Sequence, residues 1–455
     1  MSLYRSINPA TGLHFASEPT VNSKDALTRL EISKNTFSSW RETSFFDRAK
    51  LLHAVADNLE EKKEILARTI TEEMGKTITE SRTEVLKSSN CARYYADHGE
   101  TFLAPVTLES DARQSYVQHP PLGPLMAILP WNFPFWLAFR FCAPAIMAGN
   151  TILIKPDPHL PACSRRLENV FLEAGAPEGL LQTLPIENET ISELIAHPDL
   201  RGVSFTGSTL AGQKVSEQAG RHIKPMVLEL GGSDPAIVLE DADLELAAKG
   251  IALSRCINNG QSCIASKRII VVSSVYDDFV DLLEKELSEY STGEPLLNAT
   301  RVGPLAREDL RSKLHQQVLA TIEEGAQLRL GGELPQGPGF FYPVTLLIDC
   351  LPTMTSCREE TFGPLAAVLK ADSLDHAIDI ANDTDYGLAA SIWTQSDRGA
   401  CLAQRIEAGQ VVVNGVVKTD PRLPSGGVKK SGTGRELGPH GIMEFVNTQQ
   451  VWVGD

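Results

Sequence analysis

The stretch Gly260-Gln261-Ser262-Cys263 places a thiol directly after a glycine turn. A thiolate is the strongest common protein nucleophile near neutral pH, and a turn can present it to a substrate. Eight cysteines occur in the chain, and taken alone the ordinary role of any one of them is a buried small hydrophobe. Glu229 ends the apolar run Met226-Val227-Leu228 and precedes Gly231 and Gly232. A carboxylate beside an apolar site is a candidate general base with a tunable pKa, although a helix cap or an ion pair uses the same residue type. Asn132, within Pro130-Trp131-Asn132-Phe133-Pro134, sits between aromatics and two prolines that restrict the backbone. A side-chain amide held this way can donate to a developing oxyanion, and it also suits a plain polar turn. Ser204-Phe205-Thr206-Gly207-Ser208-Thr209 offers a strand, a glycine turn and the start of a helix, an arrangement that suits a phosphate. No GxGxxG fingerprint accompanies it. Glu359-Glu360-Thr361-Phe362-Gly363-Pro364 pairs a carboxylate with an aromatic before a Gly-Pro turn, which by itself is any structural turn.

The elements that must position these residues are legible in outline. Residues 24–100 read as helices, with Leu51, Leu52, Val55 and Leu59 at helical spacing after an expected cap at Asp47. The charged run from Glu60 to Lys76 reads as a solvated helix with no chemistry assigned. Strands are expected at 125–129, 151–154, 202–205, 226–230, 237–239, 268–272 and 411–414, alternating with helical stretches. That alternation predicts the α/β class with parallel sheets. The apolar stretch 122–154 carries Asn132, Arg140 and three prolines, which favours a buried strand and helix over a membrane span.

Composition narrows the function classes. A chain of 455 residues exceeds one ordinary core, so two or more domains are expected. A formal net charge of -16 disfavours a nucleic-acid partner, because binding a phosphate backbone needs a basic surface. The cysteines are scattered without a CxxC pair, which predicts free thiols and a reducing, cytoplasmic setting. The N-terminal MSLYRSINPATG has no charged region followed by an apolar run, so no signal peptide is expected. The ten histidines do not pair with Cys, Asp or Glu at ligand spacing, and no metal is expected. No GxSxG elbow supports a serine hydrolase.

Each motif is weak alone, yet PWNFP, IKP, FTGS, ELGGSDP, GQSC and ETFGP occur in a fixed order over nearly the whole chain. In that order the sequence resembles the aldehyde dehydrogenase superfamily, and it looks closest to the short bacterial succinate-semialdehyde branch. The resemblance implies a Rossmann-like cofactor domain (1–106 and 122–230) and an α/β catalytic domain (231–430). It also implies a small β extension (107–121 and 431–455) that joins subunits into a homodimer or homotetramer. By the same resemblance Cys263 is the nucleophile that forms a thiohemiacetal and then a thioester. Glu229 activates the hydrolytic water, and Asn132 with the Cys263 N–H forms the oxyanion hole. Lys155 binds the adenine ribose, Gly207 and Ser208 the pyrophosphate, and Glu360 the nicotinamide ribose. Phe362 lies near the nicotinamide and Trp131 beside the cofactor entry.

The same branch carries an arginine eight residues after the asparagine, here Arg140, as the partner of a substrate carboxylate, for which a guanidinium is well suited. Thr419 in Lys418-Thr419-Asp420-Pro421-Arg422-Leu423 is the candidate hydroxyl beside it. Another small aldehyde (glutarate semialdehyde, lactaldehyde or an aminoaldehyde) and a catalytically silent homologue are the competing readings. The sequence departs from the branch in Ser425, where a phenylalanine is frequent, and in Ile257, where an arginine is frequent and Arg255 lies two residues earlier. NAD-preferring relatives carry a glutamate three residues after the lysine of IKP. Pro158 stands there, next to Asp157, so NADP is expected as the preferred cofactor with NAD accepted.

Overall fold

The computed structural model describes residues 2–395 and 397–454. Five parallel strands form the first sheet: β1 (Pro124–Ile128), β2 (Thr151–Lys155), β3 (Leu181–Thr183), β4 (Gly202–Thr206) and β5 (Met226–Glu229). Their spatial order is β3-β2-β1-β4-β5, and the short antiparallel strand Gly432–Thr433 closes the β5 edge. Every residue of β1 and β2 is buried, as the continuous apolar runs require in a sheet covered by helices on both faces. The order reverses between β1 and β4. In a doubly wound sheet this switch point leaves a crevice beyond the carboxyl ends of the strands, where ligands bind. The loops after β1 and β4 carry PWNFP and FTGS, so two of the six motifs flank that crevice.

The second sheet has seven strands. In chain order they are β6 (Pro235–Val238), β7 (Arg268–Val272), β8 (Gln327–Leu330), β9 (Thr345–Cys350), β10 (Leu365–Ala371), β11 (Ala389–Trp393) and β12 (Gln410–Val413). Their order is β8-β9-β10-β7-β6-β11-β12, parallel except for the edge strand β8. All seven expected strands are present. Five of the numbered strands were not expected: β9, β10 and β11, whose short apolar runs lack period-two alternation because both faces are covered, and β3 and the exposed edge strand β8, which are too short and polar to stand out.

Three helices bear on the site. Helix α1 (Ile78–Leu103) opens on Thr77, whose hydroxyl accepts the Glu80 N–H at 3.3 Å in a Thr-x-x-Glu cap. Helix α2 (Trp136–Ala148) is wholly buried, and it packs on α1. Its first amides are capped from outside the helix: Glu84 of α1 accepts Phe135 N–H at 2.8 Å and Trp136 N–H at 3.1 Å. Helix α3 (Thr209–Arg221) starts after Ser208, whose hydroxyl accepts the Ala211 N–H at 3.4 Å. One expected cap moves. The helix after Thr43 begins at Phe45 with Ser44 as its cap, and Asp47 supplies the amide that Ser44 accepts at 3.1 Å.

Val106–Thr107, Gln114–Gln118 and Gln449–Val453 form a separate three-stranded antiparallel sheet. Within 431–455, Gly432–Thr433 belongs instead to the first sheet, and Leu437, Ile442, Phe445 and Val446 pack into its core. Among the described residues no helix is long and apolar enough to cross a membrane.

Candidate active site

Two cavities meet at Cys263. The larger, about 660 Å³, is lined by Trp131, Asn132, Gly207, Ser208, Glu229 and Glu360, with Phe362 also on its wall. The smaller, about 330 Å³, is lined by Trp136, Arg140, Lys87, Val417 and Thr419 on the far side of the same thiol. A thiol at a shared waist is reachable from both sides, which a reaction between two bound molecules requires.

The cysteine loop is held by backbone strain and buried amides. Asn258 and Asn259 adopt φ of 59° and 57°, and Gly260 adopts φ of 73°. A Cβ on Gly260 would lie 2.3 Å from the Gly363 carbonyl carbon, so the GQSC and ETFGP turns pack main chain to main chain. Arg255 fastens that contact by donating to the carbonyls of Gly260 (2.6 Å) and Gly363. Arg255, two residues before Ile257, is thus the strut of this loop. Asn258 Nδ2 donates to the carbonyls of Asn132 (3.0 Å) and Gln261 (2.9 Å), and Asn132 Nδ2 donates to Gln261 at 3.2 Å. One Asn132 N–H is therefore spent on orientation, and the second remains for a ligand in the larger cavity. Lys267 Nζ donates to the Cys263 carbonyl at 2.6 Å, fixing the peptide beside the thiol.

Burial pushes the Cys263 thiol up to about 12; Lys267 and Arg140 pull it down, while Glu229 and Glu360 push it up. Burial likewise raises Glu229 to about 7, against the pull of Arg140 and with a further push from Glu436. A carboxyl that titrates near neutrality is matched to proton transfer at physiological pH. Arg140 is itself buried. It faces Glu436 Oε2 from Nε at 2.7 Å and Glu229 Oε2 from Nη2 at 3.5 Å, and Nη2 also donates to Ser425 Oγ at 3.2 Å. The residue that replaces the branch's phenylalanine is thus a hydrogen-bond partner of Arg140.

Glu360 is anchored by the double glycine. Gly232 N–H donates to its Oε1 at 3.1 Å, Lys267 Nζ lies 3.6 Å away, and a Cβ on Gly231 would fall 2.3 Å from its Oε2. Trp131 and Phe362 meet edge to face, with centroids 5.6 Å apart. Gly207 N–H donates to the Glu229 carbonyl at 3.0 Å, which ties the start of α3 to the end of β5. The capped start of α3, the anchored carboxylate and the aromatic pair fit a nucleotide whose phosphates lie at a helix N-terminus and whose ribose meets a carboxylate.

Of the residues expected from the sequence, the structure brings Cys263, Glu229, Asn132, Trp131, Gly207, Ser208, Glu360 and Phe362 to one cavity and Arg140 and Thr419 to the other. Lys155 and Pro158 lie outside both linings. Lys155 ends β2 beside Ile128, with its ammonium 5.7 Å from the Tyr4 ring centroid. The Pro158 carbonyl accepts the Arg5 N–H at 3.0 Å. Asp157 accepts from the His159 N–H at 2.9 Å and contacts its ring nitrogen at 2.8 Å. Sequence reasoning missed Lys87, Trp136, Lys267 and Glu436. Each is an ordinary residue of a helix, a strand entry or a loop, and no spacing marks it.

The aldehyde dehydrogenase family model matches residues 2–451. A probable NADP⁺ succinate-semialdehyde dehydrogenase of Synechocystis sp. is 45% identical over 448 residues, covering 98% of this chain and 99% of that protein. The NAD(P)⁺ succinate semialdehyde dehydrogenase of Escherichia coli is 42% identical over 448 residues, 98% and 97% of the two chains. The crystal structure of succinic semialdehyde dehydrogenase from Streptococcus pyogenes in complex with NADP⁺ superposes with a TM-score of 0.97 at 34% identity, covering 99% and 100%. The thiol at the waist of two cavities, the buried carboxyl beside it and the switch-point crevice are therefore those of a chain that belongs to the aldehyde dehydrogenase family.

Proposed function

We propose that the protein oxidises succinate semialdehyde to succinate with NADP⁺ as the preferred cofactor and NAD⁺ also accepted. The observation that carries this reading is the pair of cavities joined at Cys263, with nucleotide-binding features on one side and the buried cation Arg140 with the Thr419 hydroxyl on the other. The named succinate-semialdehyde relatives support the same substrate. Position 158 carries no carboxylate to repel a 2′-phosphate, and Asp157 is occupied by His159, which supports NADP⁺.

In this reading Gly207 and Ser208 hold the pyrophosphate, Lys155 the adenine ribose and Glu360 the nicotinamide ribose, with Phe362 and Trp131 packed alongside. When bound, the nicotinamide supplies the hydride acceptor. The Cys263 sulfur attacks the aldehyde carbon, and its proton passes to Glu229. The oxyanion is held by the free N–H of Asn132 and by the Cys263 amide. Loss of hydride from this thiohemiacetal leaves a thioester. Glu229 releases that proton to solvent and, ionised again with help from Arg140, takes a proton from water as the water attacks; it returns this proton to the leaving sulfur, releasing the acid and the thiol. Residues 1–106 and 122–230 serve as the cofactor domain and 231–430 as the catalytic domain. The small antiparallel sheet joins subunits of a homodimer or homotetramer, a role its exposed Val106, Leu108 and Trp452 support.

The test is a steady-state assay of succinate semialdehyde against propionaldehyde, with NADP⁺ and NAD⁺ in parallel. A kcat/KM for succinate semialdehyde higher by ~10²-fold, about 2.7 kcal/mol, is expected. Equal or better use of propionaldehyde overturns the substrate assignment.

A further inference from the structure

Lys87 lies on α1, one turn beyond Glu84, and its half-buried side chain reaches the wall of the smaller cavity. Its ammonium donates to Thr419 Oγ1 at 2.8 Å and sits 4.0 Å from the Trp136 ring centroid. Trp136 Nε1 donates to the same Thr419 oxygen at 3.0 Å. A hydroxyl that accepts two hydrogen bonds has used both lone pairs, so its own proton remains to be donated. Lys87 retains two further N–H groups, and among the described residues it forms no ion pair with a carboxylate. A surplus of donors therefore faces a cavity wall that offers them no acceptor.

The acids on that wall are otherwise engaged. Glu84 pairs with Lys76 and caps α2, while Glu80 accepts the Asn258 N–H at 2.7 Å. Arg140 differs from Lys87, because its charge is already shared between Glu229 and Glu436. Burial and then the Arg140 charge depress the Lys87 ammonium, against the opposing pull of Cys91, Glu84 and Asp420, to about 8. At neutral pH it is thus a cation that has lost water without gaining a counter-ion, and an anion in the cavity would restore what it lacks.

We propose that Lys87 is the cation that directly receives the carboxylate of the acid semialdehyde. The Thr419 proton serves as a second donor, and Arg140 acts at longer range while it ionises Glu229. This inference rests on the acid-semialdehyde reading above. It makes Lys87, rather than Arg140 alone, the determinant of preference for an anionic substrate.

The experiment compares wild type, Lys87→Gln and Lys87→Arg on succinate semialdehyde and butyraldehyde at saturating NADP⁺. Protection of Cys263 from alkylation by succinate is measured alongside, as an equilibrium readout. In Lys87→Gln the ratio of kcat/KM for the charged over the neutral aldehyde is expected to fall about 10- to 100-fold, mainly through KM, and succinate protection is expected to weaken in parallel. Lys87→Arg is expected to keep most of both. A wild type with no preference for the anion overturns the acid-semialdehyde reading itself. A wild-type preference that survives unchanged in Lys87→Gln overturns the role of Lys87 and leaves that reading standing. A fall in kcat on both aldehydes with the ratio intact shows a structural role and equally overturns it.

Discussion

Replacing Arg140 by glutamine removes the charge that ionises Glu229. The guanidinium lies 3.5 Å from the Glu229 carboxylate and 2.7 Å from that of Glu436. At an effective dielectric of about 20, a pair of unit charges at the first distance interacts by about 5 kcal/mol, an upper bound worth roughly three pKa units. The loss is partly offset, because with Arg140 gone one of the two carboxyls takes up a proton and relieves their mutual repulsion. A rise of about one to three units from the present value near 7 is therefore expected. The sign follows from the role. As the proposed base Glu229 must be ionised to accept a proton from water, so thioester hydrolysis is expected to rise with pH through its pKa and the variant's profile to move to higher pH. At pH 7.5 hydrolysis is expected to fall roughly 3- to 200-fold across that range and to recover as the pH passes the raised pKa.

The assay uses propionaldehyde, which has no carboxylate, so a substrate-binding role of Arg140 does not enter. Pre-steady-state measurement of reduced cofactor separates the acylation burst from the hydrolytic steady state. Removing one partner of a buried charge cluster costs about 3–5 kcal/mol of stability, so thermal unfolding accompanies the kinetics. Arg140→Lys keeps the positive charge and is expected to lie near the wild-type profile. A hydrolytic midpoint that stays within about 0.3 units of wild type in Arg140→Gln would refute the coupling between Arg140 and Glu229.

Other consequences are equally direct. Asn132→Ala removes the amide whose second N–H is free for the oxyanion, and kcat is expected to drop by about 10²–10³ with a diminished burst. A variant that retains the burst amplitude and rate would sink the oxyanion assignment. In the free enzyme Cys263 titrates near 12, so in a Cys401→Ser background its alkylation rate should climb about tenfold per pH unit up to pH 9 or beyond. A plateau near pH 8 would show that the thiol is already ionised without a bound nucleotide.

Much of the site was legible in the chain because its pieces are local. A glycine turn before Cys263, two prolines around Asn132 and two glycines after Glu229 constrain the backbone within a few residues, and that constraint can be read from residue type. The α/β class was legible for a similar reason, since buried parallel strands appear as short apolar runs between helices. What joins the pieces lies far apart along the chain. Gly260 meets Gly363 across about a hundred residues, and Gly231 makes room for Glu360 over a similar span. Nothing in either segment announces its partner, because close packing is a property of both surfaces together. The tertiary structure alone decided the charge state of the site. Arg140 was legible as a cation at the right spacing, yet only the fold places Glu229 and Glu436 against it and raises Glu229 toward neutrality. Likewise Lys87 reads in the sequence as one more lysine on a charged helix. Burial against Trp136 and Thr419, with every nearby carboxylate engaged elsewhere, is what sets it apart, because the energy of a charge depends on what surrounds it in space.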